Sequence, residues 1–464
     1  MAVIQVILGF AIVLAIVGFA FAVVRRMTQV LLMPFRKKNA AKAASDAPQP
    51  WPAHIPKLYP NLNTDQLLHF LTKEEYERIL RLRRVTITPF HDPQASPDEK
   101  HFGIGLQLLM IRDLRLHRDL TVLGPEDTPS HSIFEWDLDA PELRNVSLIG
   151  GTVRFEDKRF RGYFQLVEGG SSVKLQVEDE DFQRFLVECR RGLLALLDVE
   201  ASETLSGYWQ TGRPVKAQDL IATGEIAFLT RGPADRAIGP RSARAVELFH
   251  ANPNFVLPLH LAEDESHISE EDFLLAFARD PYDVHLQFQI TCRIWTAKKS
   301  DLATFQFVRQ AIELSPGHGK AHMVANNSAP ESANLYYHSE LGYRLLPDNT
   351  FALSNHLLYL LRRKMVPDDL SIAYKGVELD PDHIQPYWQG ITLLKMAHHD
   401  AEALALALEL KKVVTPPLSE RTIYCITQNP QRAAEWKAGT YNPLRDVNDE
   451  IARLEAKLAQ ADAK

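Results

Sequence analysis

A chain of 464 residues, 45% hydrophobic and 24% charged, has material for two or three globular domains with real cores. Its formal net charge of −7, with the only basic cluster close to the N-terminus, excludes a general nucleic-acid binder, because neutralising phosphates needs a basic surface. Three cysteines, Cys189, Cys292 and Cys425, are odd in number and far apart, which excludes a disulfide framework and fits a reducing compartment.

The stretch Met1 to Val24 is apolar or small apart from Gln5, and the first charged side chain is Arg25. At about 1.5 Å per helical residue it reaches roughly 36 Å, enough to cross a hydrocarbon core of about 30 Å. Residues 1–24 therefore predict a single transmembrane helix. Arg25, Arg26, Arg36, Lys37, Lys38 and Lys42 follow before the first acidic residue, Asp46, so the positive-inside rule places the body in the cytoplasm, at the inner membrane of a bacterial cell. The basic cluster suits anionic lipid headgroups. A cleaved signal ending near Ala20-Phe21-Ala22 is the competing reading, but its charges would lie on the wrong side of an overlong apolar stretch. Residues 25–62 form a basic, then proline-rich linker, with Pro48, Pro50, Pro52, Pro56 and Pro60 stiffening it.

Residues 63–200 predict a small α/β domain. Thr72 and Glu75 have capping-box spacing for a helix up to Arg83, followed by the strand Arg84 to Phe90. Gly105 to Leu116 reads as a helix and Leu120 to Gly124 as a short strand. Val146 to Phe155, Arg159 to Val167 and Ser172 to Glu178 alternate about turns at Glu156-Asp157-Lys158 and Gly169-Gly170, as in a three-stranded meander. A helix closes the unit, its apolar face being Phe182, Phe185, Leu186, Cys189, Leu193, Leu196 and Leu197. The acidic run Glu178 to Asp181 suits that helix's N-terminus.

The order of the strand ending in Pro89-Phe90, a loop, Gly105 opening a helix, the strand ending at Leu123-Gly124, Gly150-Gly151-Thr152-Val153-Arg154 and Phe164-Gln165-Leu166-Val167 resembles the amino-terminal domain of TolB-like proteins. The resemblance covers residues 84–198 and departs from the family at the insertion Pro125 to Leu143. It implies a binding or docking module without catalysis. Residues 201–245, with Arg231-Gly232-Pro233-Ala234-Asp235 and Gly239-Pro240, read as a surface connector.

Prolines 281, 316, 347, 381 and 416 are spaced 35, 31, 34 and 35 residues apart, with helical patterns between them. Ala276, Ala311, Gly342 and Gly376 each lie five residues before their proline. This period, and the turns Leu314-Ser315-Pro316, Leu346-Pro347 and Leu379-Asp380-Pro381, resemble tetratricopeptide repeats over residues 246–420, with Trp388 and Ala403 near the family's aromatic and alanine positions. Lys411 departs from the small-residue position, Asn326-Asn327-Ser328-Ala329-Pro330 interrupts a short unit, and Ala245 to Pro253 reads as one more degenerate helix ending. In the tail, 421–464, Ile451, Leu454 and Leu458 give an apolar stripe that suits a cap on the array.

Candidate chemistry is thin. His398-His399-Asp400 cannot gather round one ion, since helix neighbours do not share a face, and reads as a solvated turn. Gly103-Ile104-Gly105 suggests a phosphate loop, but Leu108 replaces the third glycine of a dinucleotide fingerprint. His91-Asp92 past the first strand reads as a turn, and Cys189 as an inert core thiol. No catalytic, cofactor-binding or metal-ligating residue is implied.

The sequence thus predicts a small α/β domain plus an all-α, tetratricopeptide-like solenoid on one N-terminal transmembrane helix. The expected function is that of a non-enzymatic scaffold or adaptor that captures a protein or peptide, with Tyr336, Tyr337, Tyr343, Tyr387 and Trp388 as candidate groove residues. The alternatives are an enzyme or accessory subunit with its site near His91 and the Gly103 to Gly105 turn, and an exported envelope-side binding protein.

Overall fold

The computed structural model describes residues 71–90, 94–124, 127, 147–200, 215–228, 238–262, 268–296, 301–328, 336–347, 349–427 and 430–462. The expected membrane segment 1–24, its basic linker, His91-Asp92 and most of the 125–143 insertion lie outside these residues. Among the described residues no helix is long and apolar enough to cross a membrane.

Helix α1 (Lys73–Leu80) starts at the expected capping box, Thr72 accepting from the Glu75 amide and Glu75 returning the bond. Strand β1 (Arg83–Phe90) leads into α2 (Pro97–Leu114) and β2 (Leu120–Leu123). The meander β3 (Ser147–Glu156), β4 (Arg159–Glu168) and β5 (Ser171–Asp179) follows, closed by α3 (Phe182–Leu196). The sheet order is β2-β1-β3-β4-β5, with β1 parallel to both neighbours and the last three strands antiparallel. Both hairpin turns use paired positive φ angles, Asp157 and Lys158 at 52° and 63° and Gly169 and Gly170 at 55° and 81°. That backbone matches the right-handed twist of the strands it joins.

Helix α2 starts eight residues before the expected Gly105. Ser96 and Glu99 form a capping box, Pro97 stands in the first turn, and the glycines lie inside the helix. Their role is close packing. A Cβ on Gly105 would sit 2.1 Å from the Leu220 carbonyl oxygen, and one on Gly224 would sit 1.8 Å from that of His101. The two glycines let α2 and α4 (Ala217–Phe228) cross with backbones nearly touching, so the Gly103 to Gly105 run, whose likeness to a phosphate loop already fails at Leu108, lies at a helix crossing. The expected surface connector is corrected likewise: α4 buries Leu220, Thr223 and Ile226, and α5 (Ile238–Ala251) buries Ala245 and Phe249. The apolar spacing of Leu220, Thr223 and Ile226 carries that signal, masked by glycine and proline nearby.

A 3₁₀ turn (Leu257–Leu261) leads to α6 (Glu270–Arg279), α7 (Val284–Thr296), α8 (Asp301–Leu314), α9 (Gly319–Ser328), α10 (Tyr336–Leu345), α11 (Thr350–Arg363), α12 (Ile372–Leu379), α13 (Ile384–Met396) and α14 (Asp400–Val413). Each of these helices packs on the next, and the leading helices that follow the prolines, α7, α9, α11 and α13, also pack on one another. The small residues sit at the crossings. Ala276 and Ala311 are fully buried, and a Cβ on Gly342 would meet the Met323 Cα at 2.9 Å. Helices α15 (Glu420–Thr427), α16 (Pro430–Lys437) and α17 (Pro443–Asp462) end the chain. Helix α17 lies against α14, burying Val447, Ile451 and Leu454 in the same core as Ala403 and Leu406, so the tail covers the last hairpin as its stripe suggests.

One apolar core joins the two halves. It runs from Val85, Ile87, Ile149 and Phe164 of the sheet through α2 and α3 to Val284, Val308, Ala311, Leu314, Ala321 and Val324 of the helical array.

Candidate binding face and the buried polar seam

The residue six places after the proline closes three of the five turns in the same manner. Gln287 Nε2 donates to the Pro281 carbonyl at 2.7 Å, His322 Nε2 to that of Pro316 at 2.8 Å, and the Tyr387 hydroxyl to that of Pro381 at 3.0 Å. Leu353 stands at this place after Pro347, in a turn whose leading helix is capped by Asn349. The three donors differ in type, which hides the pattern from a sequence comparison, yet each supplies an N–H or O–H at one geometric point.

Residues four and seven places after each proline share one face of the leading helices. In α7 and α9 these are His285 and Phe288, then Lys320 and Met323, and the α/β unit covers them. Lys320 Nζ lies 3.9 Å from Asp127 and 5.6 Å from the Phe288 ring, and Phe288 and Met323 pack against the shared core. The preceding turn is pressed onto β2, where a Cβ on Gly317 would lie 2.5 Å from Thr121 Oγ1. In α11, α13 and α15 the same face carries Phe351 and Ser354, Gln385 and Trp388, then Glu420 and Ile423. Phe351 is 57% exposed and Ile423 39%, with Gln385 also exposed. Gln385 Nε2 and Gln389 Nε2 donate to Ser354 Oγ at 3.1 and 2.9 Å, which ties α13 to α11 beneath that face.

The five expected groove aromatics separate. Tyr387 is 4% exposed and belongs to the core, its hydroxyl held by Pro381, so it cannot line a groove. Tyr336, Tyr337 and Tyr343 are half-buried. Tyr337 meets Tyr76 of α1 at 4.8 Å, Tyr336 meets Tyr359 at 6.5 Å, and Tyr343 stacks on His356 at 5.7 Å. They dock α1 and join α10 to α11. Trp388 alone of the five holds a position on the open face, where it is half-buried with its ring against the core of α11 to α17.

Beneath the covered half runs a seam of buried charge. Arg112 on α2 reaches Asp113, Asp280 and Asp283, at 3.0 Å to Asp113 and 3.4 Å to Asp283, and Arg190 on α3 donates to Asp113 at 2.6 Å. Arg115 donates to Asp127 at 2.5 Å and to the Val122 carbonyl. Asp283 also caps α7 through the Leu286 amide and accepts from His260 Nε2 at 2.7 Å. Burial pushes the Asp283 carboxyl up, but the charge and hydrogen bond of His260 and the Arg112 guanidinium outweigh it and hold the group well below the usual carboxylate range. These carboxylates serve as anchors between the sheet's helices and the array.

A row of histidines continues from the seam. The ring of His260 lies 4.7 Å from that of His285, His285 lies 6.2 Å from His318, and His322 lies 5.2 Å from His338. The His322 and His338 Nδ1 atoms are 3.0 Å apart. Because a carbonyl only accepts, His322 Nε2 carries the proton it gives to Pro316, its Nδ1 is a lone pair, and His338 Nδ1 is the donor. Both rings are neutral in this arrangement. Burial lowers His322 to about 4, and burial with the neighbouring charges of Arg115 and Lys320 drops His285 and His318 well below the ordinary histidine value. Burial likewise lowers His338, with His322 adding to it, and takes His356 to about 4.

The other candidates that the sequence offers, which read as structural, are placed as follows. Cys189 is fully buried, and burial pushes its thiol far up. His398 takes a positive φ of 63° in an exposed turn, and His399 bonds Glu402 at 3.0 Å. Glu178 and Asp179 are bound by Arg159, Arg161 and Arg184, while Asp181 caps α3. Among the described residues no three histidine, cysteine or acidic side chains gather as a metal site would require. No family model and no curated protein matches this chain.

Proposed function

We propose that the protein is a membrane-anchored scaffold whose helical array captures a protein or peptide partner. The reading takes residues 1–24 as the anchor, the α/β unit as TolB-like and the hairpins as tetratricopeptide-like repeats. The observation that carries it is the change along one face. Equivalent positions are covered in α7 and α9 but open in α11 to α15, where Phe351 is 57% exposed above a hydrogen-bonded floor of Ser354, Gln385 and Gln389. The α/β unit wedged over the first two hairpins fixes the rest of the array as a preorganised surface, which lowers the ordering cost of binding. A membrane tether then raises the encounter rate with partners at the same surface.

Chemistry in the α/β unit has lost its strongest sequence support, since the Gly103 to Gly105 run is the interior of a helix. The test is a photo-crosslinking amino acid placed at Gln385 in cells, with Leu408 on the opposite helix α14 as the control. A discrete adduct at 385 and none at 408 is expected, and the protein should resist alkaline extraction from membranes. Equal labelling at both positions, or an activity abolished by alanine at His91 and Asp92 while Gln385 labels nothing, overturns the scaffold reading.

A further inference from the structure

The open half of the face is uncharged over its centre. Phe351, Ser354, Leu358, Gln385, Trp388 and Thr392 offer aromatic surface and neutral hydrogen-bonding groups, a combination that suits an extended, proline-rich ligand. This chain contains one. Residues 48–60 hold five prolines together with Trp51, Ile55, Leu58 and Tyr59, and Lys57 is their one permanently charged side chain. The geometry of the chain brings that segment within reach. Residue 71 leads into α1, and α1 is docked on α10, which in turn packs on α11: Tyr76 lies 4.8 Å from Tyr337, Tyr337 5.7 Å from Tyr336, and Tyr336 6.5 Å from Tyr359 of α11. Trp51 stands 20 positions before Leu71, a reach of up to about 66 Å. Helix α11 is only about 21 Å long, so Phe351 at its far end falls inside that radius.

We propose that the open half of the face binds the chain's own segment 48–60, with Trp51 set against Phe351 and Trp388. This rests on the reading of that face as a binding surface and names its first occupant. A short tether gives an effective concentration on the order of millimolar, so even weak intrinsic affinity fills the face. A partner then has to displace the segment, which also carries the link to residues 1–24. Capture and the reach of the body from the anchor become one coupled equilibrium.

The test uses the full chain in detergent, labelled with 5-fluorotryptophan, with the Trp51 resonance assigned by Trp51→Phe. Phe351→Glu, at an exposed position, should move the Trp51 resonance to its place in a free synthetic 48–60 peptide without changing the melting temperature. In trans, the same peptide should bind a Trp51→Gly chain at least tenfold more tightly than the parent. A Trp51 resonance already at the free-peptide position in the parent overturns the inference, and so does a resonance that shifts on dilution, which assigns the face to a second copy. If Trp51 is free while the crosslinker at Gln385 still captures a partner, the self-ligand fails and the binding face stands. If both are blank, the binding face itself is wrong.

Discussion

Acidification should loosen the array through its buried histidines, and His322 allows the size of the effect to be worked out. Its folded value of about 4 lies roughly 2.5 units below an unfolded histidine at about 6.5, and at about 1.36 kcal/mol per unit the full difference is about 3.4 kcal/mol. The sign follows from the lowered value: the fold favours the neutral ring, so the stability is fully present above about pH 6.5 and declines as pH falls toward 4. Between pH 7.5 and 5 this one ring accounts for about 2 kcal/mol, a large fraction of a typical 5–15 kcal/mol total. His356, also near 4, adds a comparable amount, and Glu340 and Arg344 are the charged groups facing it. Around His322 the titratable neighbours are His338, which sits at hydrogen-bond distance, and His318. His322→Gln is the informative variant because Gln287 makes the equivalent bond to Pro281 in the preceding unit. A glutamine can donate to the Pro316 carbonyl and accept from His338, so stability at pH 7.5 should change by no more than about 1 kcal/mol. Urea midpoints measured from pH 7.5 to 5 should then show the variant losing about 2 kcal/mol less than the parent. Parallel curves for the two proteins refute the reasoning.

Two substitutions and one control test the packing at and beside the junction between the halves. Gly105→Ala forces α2 and α4 apart, because the added methyl meets the Leu220 backbone at 2.1 Å, and should cost about 1–3 kcal/mol or more. Gly192→Ala, whose methyl clashes with the movable Leu175 side chain at 2.3 Å and touches Val177 at an ordinary 3.6 Å, should cost less in the same denaturation assay. Arg112→Met leaves Asp113, Asp280 and Asp283 facing one another in a site where none is more than 11% exposed. A loss of about 3–5 kcal/mol is expected, with the sheet and array unfolding in two steps by circular dichroism and tryptophan fluorescence instead of one. A single transition of unchanged midpoint shows that the seam does not hold the halves together.

The physical reach of each interaction decides what the sequence reveals. Strand alternation, the Thr72 and Glu75 capping box and the turn at Gly169-Gly170 are set within four residues, and the strands and α1 form where that local chemistry places them. The proline period also survives, because a hairpin stacked on its copy must repeat its small residues at the crossings, as Ala276, Ala311, Gly342 and Gly376 do. Where the pattern lapses at Lys411, the side chain is exposed, and α17 packs against α14. The glycines of α2 mislead for the opposite reason. Gly105 signals a break to local reasoning, but its cause is a partner helix more than a hundred residues away, and only the Ser96 and Glu99 cap could have corrected the helix start. The seam is less legible still: Arg112 and Asp280 are separated by 168 residues and share no periodicity. The proposed binding face falls between these cases. Positions four and seven after each proline can be read off the sequence, yet His285 and Phe351 hold the same place, one buried at 4% and the other exposed at 57%. What separates them is the α/β unit resting on α7 and α9, so which copy of the position stays open is decided by contacts from outside the helical array.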